Sequence, residues 1–180
     1  PVSNTPYVEL PLIENFNPNT FASENYSIKQ NLSYPNQHPR EAQAEQLYIL
    51  AKTAYETELN LDKTFALLKQ VVAVDPNNAA YQFVLGIMAL KTGDTASAEK
   101  AFKKCEKLKY THYRLLGHYY LGRIHADRGD RILAEKKFEE VLAAASPALE
   151  APLIKACEAA YKGNQSLVPV KLNPRSLAIF

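Results

Sequence analysis

The chain has 180 residues, 47% of them hydrophobic, which is enough length and apolar content to bury the core of one domain. Its 21 basic and 19 acidic side chains give a net charge of +2, too balanced to indicate recruitment by nucleic acid or by an acidic membrane surface. No apolar run approaches the ~18 residues that a membrane span needs. The composition fits several cellular compartments. The start at Pro1 fits a removed methionine, a cleaved presequence or an anchor.

Residues 1–40 predict an extended arm. The segment holds six of the eleven prolines and seven asparagines, and proline removes backbone donors and restricts φ. The arm is nevertheless too apolar for a typical disordered segment, with side chains such as Tyr7, Leu10, Phe16 and Phe21. We therefore expect it to dock, either over the chain's own helical body or on a neighbouring protein.

From Pro39 onward the pattern changes to helical periodicity. Seven helices are predicted, at about 40–58, 61–74, 79–92, 95–108, 112–128, 131–145 and 148–162. The predicted N-caps are Asn60, Asp94, Thr111 and Asp130. The predicted left-handed stops are Gly93, Gly129 and Gly163.

An internal repeat is the strongest signal in this region. Six residues recur 36 positions further on with the same identity: Leu85, Gly86, Gly93, Asp94, Ala98 and Phe102 return as Leu121, Gly122, Gly129, Asp130, Ala134 and Phe138. A weaker copy lies 34 residues earlier, at Tyr48, Ala51, Tyr55, Thr64, Leu68 and Pro76. In this pattern the chain resembles the tetratricopeptide-repeat (TPR) family.

The resemblance implies an all-α fold, a right-handed superhelix of antiparallel helix pairs, to which the composition adds an extended N-terminal arm and C-terminal tail. The helical body would span 41–163, with repeats at about 45–78, 79–112 and 115–148 and a cap helix at 148–162. An apolar tail would follow at 164–180. Small residues at Gly86 and Ala98 would let paired helices cross closely, and Phe102 would fill the space between pairs.

The resemblance also implies a concave groove lined by the first helix of each pair. The residues expected to bind a peptide there are Ile49, Thr53, Phe83, Ile87, Leu90, Leu116, Tyr119, Tyr120 and Arg123. This apolar and aromatic set indicates a partner with an extended apolar or aromatic segment. The carboxylate clamp of related cochaperones is absent, since its positions hold Ile49, Thr53, Val84, Leu116 and Tyr120. The alternative is that these side chains are ordinary inter-repeat core.

The sequence gives little support for a metal site, a catalytic site or a cofactor site. His118 and His125 lie on nearly one helix face, but they fall where the family places packing aromatics, so no metal site is predicted. No catalytic arrangement and no phosphate-binding loop is recognisable, and no cofactor is expected. Cys105 and Cys157 are expected to be packing residues. The lysine run 100–109 is read as a solvated face supported by i,i+4 pairs such as Glu99 with Lys103.

The function expected from these features is a non-enzymatic protein–protein interaction module. It would act as an adaptor or assembly subunit of a larger complex, with the arm and the tail as anchors. The alternative is a dedicated chaperone similar to the type III secretion chaperones, which also have three such repeats. For both terminal extensions, wrapping the chain's own helices is the simpler alternative.

Overall fold

The computed structural model describes residues 39–109, 111–166, 173 and 177. In these ranges the backbone forms seven α-helices and no strand, which confirms the predicted all-α class. The helices are α1 (Pro39–Glu56), α2 (Leu61–Val74), α3 (Ala79–Lys91), α4 (Thr95–Lys107), α5 (Thr111–Arg128), α6 (Arg131–Ala144) and α7 (Pro147–Gln165). The predicted arm lies outside the described residues except for Pro39 and Arg40, which begin α1.

The helices pack in the order in which they follow one another. Each helix contacts the next, and α5 also contacts both α3 and α7. Short loops join α1 to α2, α3 to α4 and α5 to α6, so the helices of each pair run antiparallel. The described body is thus three helical hairpins followed by α7. A right-handed TPR superhelix stays a prediction.

The 36-residue repeat recurs in the backbone at the turns of the second and third hairpins. Gly93 has φ +81° and Gly129 has φ +86°, the left-handed conformation that glycine adopts most readily. After each glycine, the next N–H donates to a carbonyl five residues earlier: Asp94 to Ala89 at 2.8 Å, and Asp130 to His125 at 2.9 Å. Both helices therefore end in the same glycine-dependent motif, as predicted for these two glycines.

The core is continuous from one hairpin to the next because aromatic rings bridge them. Phe102 on α4 lies 6.1 Å from Phe83 on α3 and 5.1 Å from Tyr120 on α5, measured between ring centroids. Its ring stacks on Tyr120 with an interplanar angle of 13°. Phe102 is fully buried, as are Ala98 and Ala134. Aromatic packing thereby joins the second hairpin to the third.

The predicted helix starts are partly correct. Asn60 and Asp94 are confirmed as N-caps, since their side chains accept from the backbone N–H of Lys63 at 2.9 Å and Ser97 at 3.0 Å. Asp130 occupies the N-cap position without a side-chain cap hydrogen bond. Thr111 is the first residue of α5 and does not precede it, so that predicted N-cap is wrong.

The predicted stop at Gly163 is also wrong, because α7 continues to Gln165. The reason lies in the neighbouring Asn164, whose side-chain Nδ2 donates to the Arg131 carbonyl and to Glu135 Oε1, both at 3.1 Å. These bonds hold the last turn of α7 on the start of α6. The described tail is otherwise confined to two residues, of which Leu177 is buried in the hydrophobic core. At that position the tail packs on the helical body.

None of the helices in the described ranges is long and apolar enough to cross a membrane. The longest of these helices, α7, is bent close to its start. There Glu150 has non-helical dihedral angles and Pro152 lies inside the helix. At this start the backbone N–H of Ser146 donates to Glu150 Oε2 at 2.6 Å, which satisfies one of the donors exposed at a helix N-terminus. Beyond the bend, α7 contacts α6 and α5.

Candidate binding surfaces

The residues predicted to line a peptide groove divide into two groups by exposure. Ile49 and Thr53 on α1 are accessible, with Ile49 56% exposed. The other seven have at most 5% of their surface exposed, and they are Phe83, Ile87, Leu90, Leu116, Tyr119, Tyr120 and Arg123. The first group is therefore accessible and the second is buried.

The buried members on α3 and α5 contact one another and the rest of the core. Phe83 lies 5.9 Å from Tyr113 and 5.7 Å from Tyr120 between ring centroids. All residues of α3 from Gln82 to Leu90 are buried. This placement agrees with the alternative reading of the apolar stripe as core. Peptide binding by these seven residues stays a prediction.

Arg123 directs its charge into the interior. Its Nη1 donates a hydrogen bond of 2.8 Å to the Tyr119 hydroxyl oxygen, and its guanidinium carbon lies 5.8 Å from the Tyr119 ring centroid. Burial raises the pKa of Tyr119, and the nearby Arg123 only partly offsets that effect. Burial also raises the pKa of Tyr120 well above its ordinary value. Both phenols are therefore neutral at physiological pH.

An open groove lies on the other side of the hairpins, between the second helices α2 and α4. Its volume is about 910 Å³. Residues of α2 and α4 form its walls, and Gln82 and Leu85 of α3 contribute to its floor. The Gln82 side chain is held there by donating to the Pro76 carbonyl at 2.9 Å. The apolar lining residues are Val72, Ala73, Pro76, Leu85, Ala96 and Ala101.

The walls of this groove are strongly basic. Five lysines line it, at positions Lys69, Lys100, Lys103, Lys104 and Lys107, against one carboxylate, Glu99. Glu99 accepts hydrogen bonds from Lys103 at 2.6 Å and from Arg128 at 2.7 Å, so its negative charge is paired with two positive charges. The hydrogen bond from Lys103, with a further contribution from Arg128, lowers the pKa of Glu99. The predicted Glu99–Lys103 pair is thus confirmed. The lysine run of α4 faces this groove in addition to solvent.

A second charged cluster, which the sequence did not predict, joins α4, α5 and α6. His118 Nδ1 lies 2.7 Å from Glu106 Oε1 and 2.8 Å from Glu140 Oε2. The Lys137 ammonium lies 2.5 Å from Glu106 Oε1 and 3.1 Å from Glu140 Oε2. The carboxylates come from helices adjacent to that of the histidine, which is why ligand spacing along the chain could not reveal them.

In this cluster the hydrogen bonds affect the pKa values of Glu106 and Lys137 more strongly than burial does. Burial opposes ionisation of Glu106, but hydrogen bonds from His118 and Lys137 prevail and lower the pKa of its carboxyl group. Burial likewise disfavours the charged form of Lys137, yet its bonds to Glu106 and Glu140 raise its pKa. Glu106, His118 and Glu140 are residue types that bind metals, and their ligand atoms lie within 4.8 Å of one another. The Lys137 ammonium already supplies a cation to both carboxylates.

The other two histidines of the described ranges and the two cysteines lie inside the helical body. His112 Nδ1 lies 3.7 Å from Glu150 Oε1, and the buried His125 Nδ1 lies 3.8 Å from Asp130 Oδ2, beyond hydrogen-bond distance. Cys105 and Cys157 are free, buried thiols, as their predicted packing role requires. Burial raises the pKa of Cys105, and it raises that of Cys157 to about 12, so neither forms a reactive thiolate near neutral pH.

Comparison with known proteins adds no family assignment: no protein-family model matches the chain, and no curated protein matches it significantly.

Proposed function

We infer that this chain is a non-catalytic protein–protein interaction module, an adaptor or assembly subunit built as a TPR-type superhelix. The observation that carries the proposal is the recurrence of one hairpin design at a spacing of 36 residues. The glycine turns at Gly93 and Gly129 recur with the same hydrogen bonds, and Gly86 and Gly122 face the rings of Phe102 and Phe138. Stacked repeats of this kind present extended surfaces suited to holding other proteins.

The side chains best suited to catalysis support a structural reading instead. His118 is engaged by two carboxylates and lies 3.4 Å from the Lys137 ammonium. The two thiols are buried. A nucleophile or general base has to reach a substrate in a cleft, and these groups are used to join helices.

The accessible surfaces define where a partner can bind without rearrangement. One is the lysine-lined groove between α2 and α4. Another is the exposed side of α1, where Ile49 and Leu50 are 56% and 54% exposed. An extended apolar segment along the predicted concave positions could contact Ile49 and Thr53 directly, whereas the other seven positions are buried.

The test is the mass and stoichiometry of the native complex. The tagged chain is expressed at its natural level in source cells, isolated gently and measured by native mass spectrometry. An adaptor or assembly subunit gives a complex of fixed stoichiometry well above the 20.1 kDa of the chain. A single client present in variable amounts and released on folding supports the dedicated chaperone. Recovery of the 20.1 kDa chain alone would contradict the proposed function.

A further inference from the structure

We propose that the groove between α2 and α4 binds an acidic amphipathic helix of a partner protein. This inference rests on the proposed function, because it assigns a surface and a partner chemistry to a protein-binding module. The surface lies on the second helices of the hairpins, apart from the predicted concave residues on the first helices.

Charge provides the first part of the argument. The groove holds four more lysines than carboxylates, and its single carboxylate, Glu99, is already paired with Lys103 and Arg128. In the described ranges no carboxylate lies within ion-pair distance of Lys100, Lys104 or Lys107. These three ammonium groups therefore retain their attraction for an acidic ligand, in a chain whose overall charge is only +2.

The apolar floor of the groove provides the second part of the argument. Between the lysines lie Val72, Ala73, Leu85 and Ala101, which form an apolar strip. A purely polyanionic ligand would leave this strip unused, whereas an amphipathic ligand covers it while its acidic side chains reach the rim. The lysine stems can themselves pack against the apolar side of such a ligand.

Spacing and size indicate a helix. Lys100, Lys104 and Lys107 follow an i, i+4, i+7 pattern along one edge of α4, which corresponds to a rise of ~10 Å. Acidic residues with the same spacing on an adjacent helix would meet them in register. The volume of about 910 Å³ is comparable to a helical segment ~10 Å across and ~11 Å long, or roughly two turns.

The lining disfavours nucleic acid as the occupant. None of the lining residues is an arginine or an aromatic residue. Phosphate recognition favours the guanidinium fork, and single strands are held largely by stacking on aromatic rings. A short oligonucleotide consequently serves as the competing probe.

The experiment measures fluorescence anisotropy of a labelled, designed acidic amphipathic peptide titrated with the full chain. The peptide has about 15 residues, enough for marginal helicity, with glutamates at i, i+4 and i+7 beside a leucine stripe. The expected result is saturable binding that weakens as salt rises. A scrambled peptide of the same composition should bind about tenfold more weakly or worse, because it has the charge without the apolar face.

Two variants test the location. Combined Lys100→Glu, Lys104→Glu and Lys107→Glu should weaken binding about tenfold or more. Its control combines Lys136→Glu, Lys155→Glu and Lys162→Glu, which makes the same change in net charge at exposed positions elsewhere and should alter affinity less than about threefold. Ala73→Trp keeps the charge and fills the groove, so it should also abolish binding even if the charge variant folds poorly.

Equal loss in the groove and control variants, or tighter binding of the oligonucleotide than of the peptide, would overturn the proposal. The native-complex measurement separates this failure from failure of the proposed function. If the groove variant keeps the full native complex, the chain is still a protein-binding module but the groove is not its surface. If the parent chain has no native complex, the function itself is wrong.

Discussion

The ring of Phe102 occupies the space that a side chain on Gly86 would need. A Cβ added to Gly86 would lie 2.5 Å from Phe102 Cε1, and a Cβ on Gly122 would lie 2.5 Å from Cε1 of Phe138. Neither ring can retreat easily, because both are fully buried and Phe102 stacks on Tyr120. Close approach of the paired helices therefore depends on glycine at both positions.

Gly86→Ala and Gly122→Ala should each destabilise the protein by about 1 to 2 kcal/mol. Overpacking costs about 1 to 3 kcal/mol, and the higher helix propensity of alanine offsets up to about 1 kcal/mol. Urea unfolding measures the change. In a Phe102→Leu background the Gly86→Ala cost should fall by about 1 kcal/mol, since the clashing ring is gone. Strict additivity of the two changes would contradict the contact.

Ala98→Leu and Ala134→Leu should each cost roughly 1 to 3 kcal/mol, because both positions are fully buried. Ala96→Leu is the matched control, on the same helix as Ala98 but exposed, and should change stability by less than about 0.5 kcal/mol. Thermal melts compare the three variants. An unchanged midpoint for either buried position would show that the repeat alignment fails there.

Replacing Tyr119, Tyr120 and Arg123 together with Ala should unfold the third hairpin. Each side chain is at most 3% exposed, and truncating one large buried aromatic residue costs about 3 to 5 kcal/mol. Circular dichroism should show a large loss of helix. A triple variant that kept its helical signal and its melting temperature would mean that these side chains are available to a ligand, as the TPR resemblance implies.

Glu106→Gln should destabilise the protein by about 1.5 to 3 kcal/mol at neutral pH, the range for hydrogen bonds to charged groups. Because the pKa of Glu106 is lowered from 4.5 in the folded state, the unfolded state takes up protons first as pH falls. The contribution is therefore fully present above about pH 4.5 and is lost as pH falls through the folded pKa. The titratable groups facing Glu106 are His118, Lys137 and, through them, Glu140.

Urea titrations of both proteins over a pH series check this dependence. The difference between parent and variant should be constant near neutrality and shrink below about pH 4.5. Glu158→Gln, at an exposed position on α7, is the control and should shift stability by less than about 0.5 kcal/mol. A parent–variant difference that persisted unchanged into strong acid would show that Glu106 acts through packing and not through its charge.

Local signals in the sequence predicted the helices well because the structure uses them locally. Asn60 and Asp94 cap helices through bonds three residues away, and Gly93 ends one through its own backbone angle. Gly163 failed as a stop because a long-range interaction prevailed, the anchoring of Asn164 on α6. A local pattern cannot report a bond to a residue 33 positions away.

The binding surfaces were harder to predict for the same reason. An apolar stripe such as Phe83 and Ile87 looks alike whether it faces a groove or the core, and only packing distinguishes the two. The lysine run was visible in the sequence, but Lys69 of the facing helix and the apolar strip between them become neighbours only in the fold. The partners of His118 likewise come from two other helices.

Zero-length carbodiimide cross-linking of the native complex tests the central claim most directly, because the reagent joins lysine amines only to carboxylates in contact with them. Peptide mapping should place aspartate or glutamate residues of the partner on Lys100, Lys104 or Lys107, all of which line the groove. Partner cross-links confined to lysines outside the groove, such as Lys52, Lys155 and Lys162, or the absence of any cross-linked partner, would contradict the account.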